Sequence, residues 1–163
     1  MKARISKWWI ACLALGLCTS PGCRYSAEKA EQPLEAVDFS PEEEKAAKHI
    51  LRSFLRSVDS DEDTWDLLSE HVKRSTSKTQ WALTLHAMKT ACGAPTSRGT
   101  MNFGCVEKLP DAPAGRYFVF DIESDFARLD VTERIVVGLE QGQWKIVGYF
   151  RTKSVTLGVS EDS

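Results

Sequence analysis

The chain has 163 residues, enough for one domain and a short extension, and 42 % of them are hydrophobic, as in an ordinary water-soluble protein. Its formal net charge is −2, and removing Lys2, Arg4 and Lys7 with the first 22 residues leaves −5. Its basic residues alternate with acids along almost every segment, which argues against nucleic acid as a partner, and nothing after residue 20 approaches the roughly 20 consecutive apolar residues of a membrane-spanning helix.

Residues 1–22 read as a cleavable export signal. Lys2, Arg4 and Lys7 form a cationic start, Trp8 to Cys18 (WWIACLALGLC) an apolar run too short to span a membrane, and Thr19-Ser20-Pro21-Gly22 breaks the run. Cys23 follows Gly22 directly and precedes polar residues, which resembles the cleavage and lipidation site of bacterial lipoproteins. Ser20 and Pro21 depart from the usual pattern there, where a Leu and a small residue are common. The competing reading, ordinary signal-peptidase cleavage, lacks a clean A-x-A site nearby, so lipidation of Cys23 is favoured. Residues 23–39 have no sustained apolar periodicity and read as a flexible tether.

The folded domain is expected over 40–156, with 157–163 a disordered tail. Ser40-Pro41-Glu42-Glu43 is a helix start, with Ser40 as cap, Pro41 at the first helical position and Glu43 closing a capping box. The helix it opens is amphipathic, since Ala47, Ile50, Leu51, Phe54, Leu55 and Val58 recur at three- and four-residue spacing before Asp59-Ser60-Asp61 ends the run. A second helix is expected over Glu62 to Val72, and a third from Lys78 to Ala91 after Ser77, stopped by Gly93 and Pro95.

From Arg98 onward the period changes to two. Met101 to Glu107, Arg116 to Phe126, Val131 to Glu140 and Gln143 to Lys153 read as four strands of an antiparallel meander, with Gln141-Gly142 a two-residue hairpin turn. The expected fold is α+β, with N-terminal amphipathic helices on one face of a curled four-stranded antiparallel sheet.

This pattern resembles a bacterial family catalogued as domain of unknown function 4019, similar in layout to cystatin-like and nuclear-transport-factor-two-like folds. The resemblance is carried by Trp65, Trp81, Leu85, Gly93 and Arg98, by Leu109-Pro110 with Gly115 and Tyr117, and most clearly by Glu133, Glu140, Gly142, Trp144 and Gly148-Tyr149. It implies a fold and carries no assigned activity.

No catalytic, metal or cofactor site is expected. His49, His71 and His86 lack the i, i+4 pairing of a helical metal site, and there is no nucleophile elbow, phosphate-binding loop or dinucleotide glycine motif. Asp121, Glu123 and Asp125 share one strand face and are expected in water, while Trp65, Trp81 and Trp144 are expected in the core. Cys92 and Cys105, the two thiols of the exported domain, are candidates for a disulfide, with bridge and free thiols both open: a straight strand would separate them too far, and only a turn, which Gly93, Pro95 and Gly99 could supply, would bring them together.

The chain therefore reads as an exported bacterial envelope protein, periplasmic or held by lipid, whose domain binds a protein or a small ligand without catalysis. The alternative is a small enzyme with a pocket between helices and sheet. The discriminating feature is an ionisable side chain at an inward strand position, and Met101, Phe103, Phe118, Phe120 and Ile122 supply none. Membrane contact comes only through the lipid anchor, and a homo-oligomer is compatible with the sequence.

Overall fold

The first helix, α1 (Pro41–Asp59), starts where its capping residues dictate: the Ser40 hydroxyl accepts from the Glu43 N–H at 3.2 Å, and the Glu43 carboxylate accepts from the Ser40 N–H at 2.8 Å. Ala47, Leu51, Phe54 and Leu55 form its buried stripe. These positions come from a computed structural model, which describes residues 35–110 and 112–153. The expected export signal, Cys23, the expected tether before residue 35 and the expected tail lie outside the described residues.

Five antiparallel strands follow chain order across one sheet: β1 (Ala36–Val37), β2 (Pro95–Val106), β3 (Tyr117–Phe126), β4 (Asp130–Glu140) and β5 (Gln143–Lys153). The sequence led us to expect four. The fifth, β1, lies in the stretch read as tether, where Ala36 and Val37 pair with Val106 and Cys105. So short a strand leaves no periodicity, and its pairing is set by β2, seventy residues away in sequence. Arg116 secures the crossing from β1 to α1 by donating to the Asp38 carbonyl at 2.5 Å and pairing with the Glu43 carboxylate at 2.6 Å.

The expected second helix is divided. A 3-10 turn (Trp65–Leu67) is followed by extended Leu68 and then α2 (Glu70–Ser75). The Ser69 N–H donates to the Ile146 carbonyl of β5 at 2.9 Å, which takes the backbone out of the helical ladder. The Ser69 hydroxyl then accepts from Val72 N–H and restarts it. The third helix, α3 (Lys78–Cys92), is capped by Ser77 and ends at Gly93, whose φ of +84° and approach to the Ala127 side chain leave no room for a Cβ.

Gln141 and Gly142 both have positive φ, 50° and 78°, as a type I′ hairpin turn requires. Two irregularities in the sheet then decide which side chains face the helices. Arg98 pairs with Ser124 and Met101 with Ile122, so one extra residue between them keeps both on the inner face. Val136 pairs with Gly148 but Val137 with Ile146, so Val147 is extra and Ile146, Tyr149 and Arg151 all point inward.

The inner face buries Phe118, Phe120, Ile122, Ile135, Val137 and Ile146 against the α1 stripe, Leu68 and Val72. On the outer face, Val106, Tyr117, Val119 and Val136 form a smaller cluster with Leu109 and Ala112 of the β2–β3 connection. Trp65, Trp81 and Trp144 pack against the main core but remain half-buried, a correction to their expected burial. Trp81 bridges α3 to the body through its ring on Phe54 and its indole N–H on the Thr64 hydroxyl, 2.8 Å away.

Cys92 and Cys105 are free and buried. Pro95 pairs with Phe126 and Cys105 with Phe118, so the thiols lie near opposite ends of β3, on the order of 26 Å apart at about 3.3 Å per residue. No turn at Gly93, Pro95 and Gly99 sends the chain out and back to close that gap. The strand runs from Pro95, six positions before the expected Met101, and the separation far exceeds the bridging distance of about 4.4 to 6.8 Å.

Candidate functional site

The acids that alternate on β3 face away from the helices. Asp121 forms a two-pronged ion pair with Arg134 across the β3–β4 ladder, at 2.7 and 2.8 Å, and Asp125 accepts from the Ser97 hydroxyl. The acids at and just after the end of α1 are also spoken for, Asp59 by Arg98, Asp61 by Lys89 and Asp63 by Lys78. Among the described residues no cluster of three or more His, Cys, Asp or Glu side chains could hold a metal ion.

Beside Arg98, which the β2 bulge turns inward, a second inward ionisable group is on β4. Val131, Glu133, Ile135 and Val137 alternate onto the inner face, and Glu133 is 0 % exposed. This corrects the expectation that no inward strand position carries an ionisable side chain. Arg98 donates to Oε2 of Glu133 at 2.6 Å, the Ser124 hydroxyl donates to the same oxygen at 2.8 Å, and the Tyr149 hydroxyl donates to Oε1. Arg151 donates through Nε to the Tyr149 oxygen at 2.7 Å and stands 3.4 Å from Oε1. Arg98 continues outward, gripping both oxygens of Asp59 at the end of α1, at 2.7 and 2.9 Å. The Arg151 guanidinium lies 4.2 Å over the Phe126 ring, and its buried Nη1 has no hydrogen-bond partner among the described residues.

Burial alone would push the Glu133 carboxyl up. The hydrogen bonds from Arg98 and Tyr149 and the Arg98 charge outweigh it, so Glu133 is held below the ordinary glutamate range and stays ionised. Burial and the neighbouring Glu133 charge raise Tyr149, which keeps its proton and remains a donor. Burial opposes the Arg98 charge, but its bonds to Asp59 and Glu133 raise its pKa above the usual arginine value. The arrangement is a charge-balanced clasp between two carboxylates and two guanidiniums. It joins the C-terminal end of α1 to β2, β4 and β5.

An open concavity lies elsewhere among the described residues, between α1 and the start of β5. This groove of about 640 Å³ is lined by Glu42, Lys45, Ala46, His49, Ile50 and Arg52 on the helix and Gln143, Trp144 and Lys145 on the strand. Trp144 forms part of its lining, its ring held edge-on against Phe118 at 5.3 Å, and Leu139, the cross-strand partner of Trp144, is 40 % exposed beside it. A smaller concavity of about 350 Å³ lies under α3, between Trp81, Leu85 and the Asp61–Thr64 segment.

The residues that carried the resemblance divide by these features. Gly93 and Gly142 serve turns, and Gly115 donates its N–H to the Glu107 carbonyl. Tyr117 donates to the Pro113 carbonyl at 2.6 Å, and the Glu140 carboxylate accepts from the Glu70 N–H at the start of α2. Gly148 leaves room for the Phe150 ring, while Trp65 and Trp81 pack on the core. Arg98, Glu133 and Tyr149 meet in the buried clasp, and Trp144 lines the groove. His49 lines the groove as well, apart from His71 on α2 and His86 on α3.

Comparison with the curated proteins and with the solved structures finds no match. The family described as "Protein of unknown function (DUF4019)" matches residues 51–149, more than half of the chain, from the buried Leu51 of α1 to Tyr149 of the clasp. The chain belongs to this family.

Proposed function

We propose that this is an exported bacterial envelope protein, held at a membrane by lipid on Cys23, whose domain is a non-enzymatic binding or interaction module. The observation that carries the module reading is the state of Glu133. A general acid or base must reach a substrate proton and titrate near working pH. Glu133 has no solvent exposure, both of its oxygens are engaged by donors, and its neighbours hold it ionised. The open groove, in contrast, presents an aromatic ring among exposed polar side chains, which suits recognition.

The enzyme alternative draws its support from the same residue, because Glu133 does occupy an inward strand position. The two readings differ in how it titrates. Carboxyl-carbon NMR of the mature domain should show Glu133 losing its proton below the ordinary glutamate range. A titration near neutrality would mark a group poised for proton transfer and overturn the module reading.

The location has its own test. Mass spectrometry of the mature protein should find an N-terminal Cys23 carrying lipid. An unmodified N-terminus after Cys23, with the protein free in the periplasm, would end the lipoprotein reading and leave export standing.

A further inference from the structure

Building on the module reading, we propose that the groove between α1 and the start of β5 receives an acidic, extended segment of a partner protein, with one apolar residue of that segment seated on Trp144. Charge is the first argument. The chain is net negative, yet this groove gathers Lys45, Arg52 and Lys145 against the single acid Glu42. Lys45 and Arg52 are exposed, and Lys145 gives one of its donors to the Asp66 carbonyl, leaving two more. A positive groove within a net-negative surface favours a negative segment over a neutral or positive one.

Geometry separates an extended segment from a compact anion. Lys45 and Arg52 are seven residues apart on α1, about 10 Å at 1.5 Å per residue. A phosphate or a single carboxylate would reach one of them and leave the other unused. An extended chain advances about 3.3 Å per residue, so acids three positions apart in the partner would meet both cations. The intervening residues would lie over Ile50 and Trp144, where a half-buried ring braced by Phe118 offers a fixed apolar seat. Glu42 flanks the row and repels an acid placed beside it, which disfavours a segment whose acids extend past Lys45.

The test uses the mature chain and a synthetic peptide of about twelve residues with Asp and Glu flanking a central Leu, alongside a counterpart with Lys at the acidic positions. The acidic peptide should bind and change the tryptophan fluorescence, and the basic counterpart should not. Affinity should fall about tenfold or more in Lys45→Glu and in Arg52→Glu, and should weaken steeply with salt. Both side chains are exposed, so unchanged thermal melting confirms that the variants fold. Trp144→Phe should abolish the fluorescence response while retaining most of the binding measured by calorimetry.

Acidic-peptide binding that survives both charge reversals removes the groove assignment and leaves the module reading intact. Binding to vesicles of anionic phospholipid through Lys45 and Arg52, without peptide binding, assigns the groove to a membrane surface and overturns the proposal. Peptide display that selects neutral or basic sequences overturns it too, with the module reading still standing. Display that recovers no binder at all brings down both.

Discussion

Glu133→Gln is expected to destabilise the domain by about 3 to 5 kcal/mol at neutral pH, the usual cost of removing one partner from a buried ion pair. The substitution keeps the shape of the side chain and removes its charge. Arg98 retains Asp59, but Arg151, ion-paired with Glu133 and stacked on Phe126, loses the carboxylate that balances it. The pH dependence follows from the sign of the shift. Because the folded carboxyl titrates below the unfolded one, its stabilisation is complete above the unfolded value of about 4.3 and is lost as pH falls through the lower, folded value. Denaturant titrations should therefore show the wild-type protein losing stability on acidification through that window, with a shallower loss in Glu133→Gln. A cost below about 1 kcal/mol at neutral pH would mean that the clasp contributes no more than a surface pair.

Phe54→Ala should cost a similar amount, about 3 to 5 kcal/mol, through a different mechanism. Phe54 is 0 % exposed and stands edge-on to Tyr149, with ring centres 5.2 Å apart, while Trp81 tilts over its other side at 6.4 Å. Truncation opens a cavity between α1, α3 and β5 that rigid strands cannot fill. Trp81→Ala should cost roughly half as much, since its ring is only half-buried. Urea titrations should show both midpoints lowered with unchanged slopes. The losses from Phe54→Ala and Glu133→Gln should not add, because Phe54 braces the tyrosine that donates to Glu133. A Phe54→Ala cost equal to that of Trp81→Ala would show that the site collapses around the missing ring.

What the sequence discloses depends on whether the determining interaction is local. The capping box of α1 and the Gln141-Gly142 turn are written within four residues, and both form as expected. The break at Leu68 is not local, for it depends on the bond from Ser69 to Ile146. The clasp was legible in part. Strict alternation with Val131, Ile135 and Val137 sends Glu133 inward, and a reading confined to the faces of β2 and β3 misses it. Arg98, Tyr149 and Arg151 were concealed, because alternation counted from Met101 or from Ile146 sends each of them outward. The bulges at Gly99–Thr100 and Val147 reverse that parity, and neither has a sequence signal beyond one glycine. The groove was concealed too. Trp144 reads as an ordinary apolar strand residue, and its approach to the α1 face of Lys45, His49 and Arg52 appears only after helix and sheet are joined.

The fastening of β1 has a mechanical consequence. A pull on the chain ahead of Ala36 meets two residues of ladder, which yield easily, and the load then passes to Arg116. Its guanidinium holds the Asp38 carbonyl and the same Glu43 carboxylate that caps α1. Force would thus enter the domain at the first turn of the helix and the mouth of β3. Glu133 pairs with Ile122, four residues along β3 from Phe118, and its clasp grips α1 at the far end of that helix. Tension would strain the rim of the groove before it reached the clasp, so the recognition surface is also the part of the fold most exposed to being pulled out of shape.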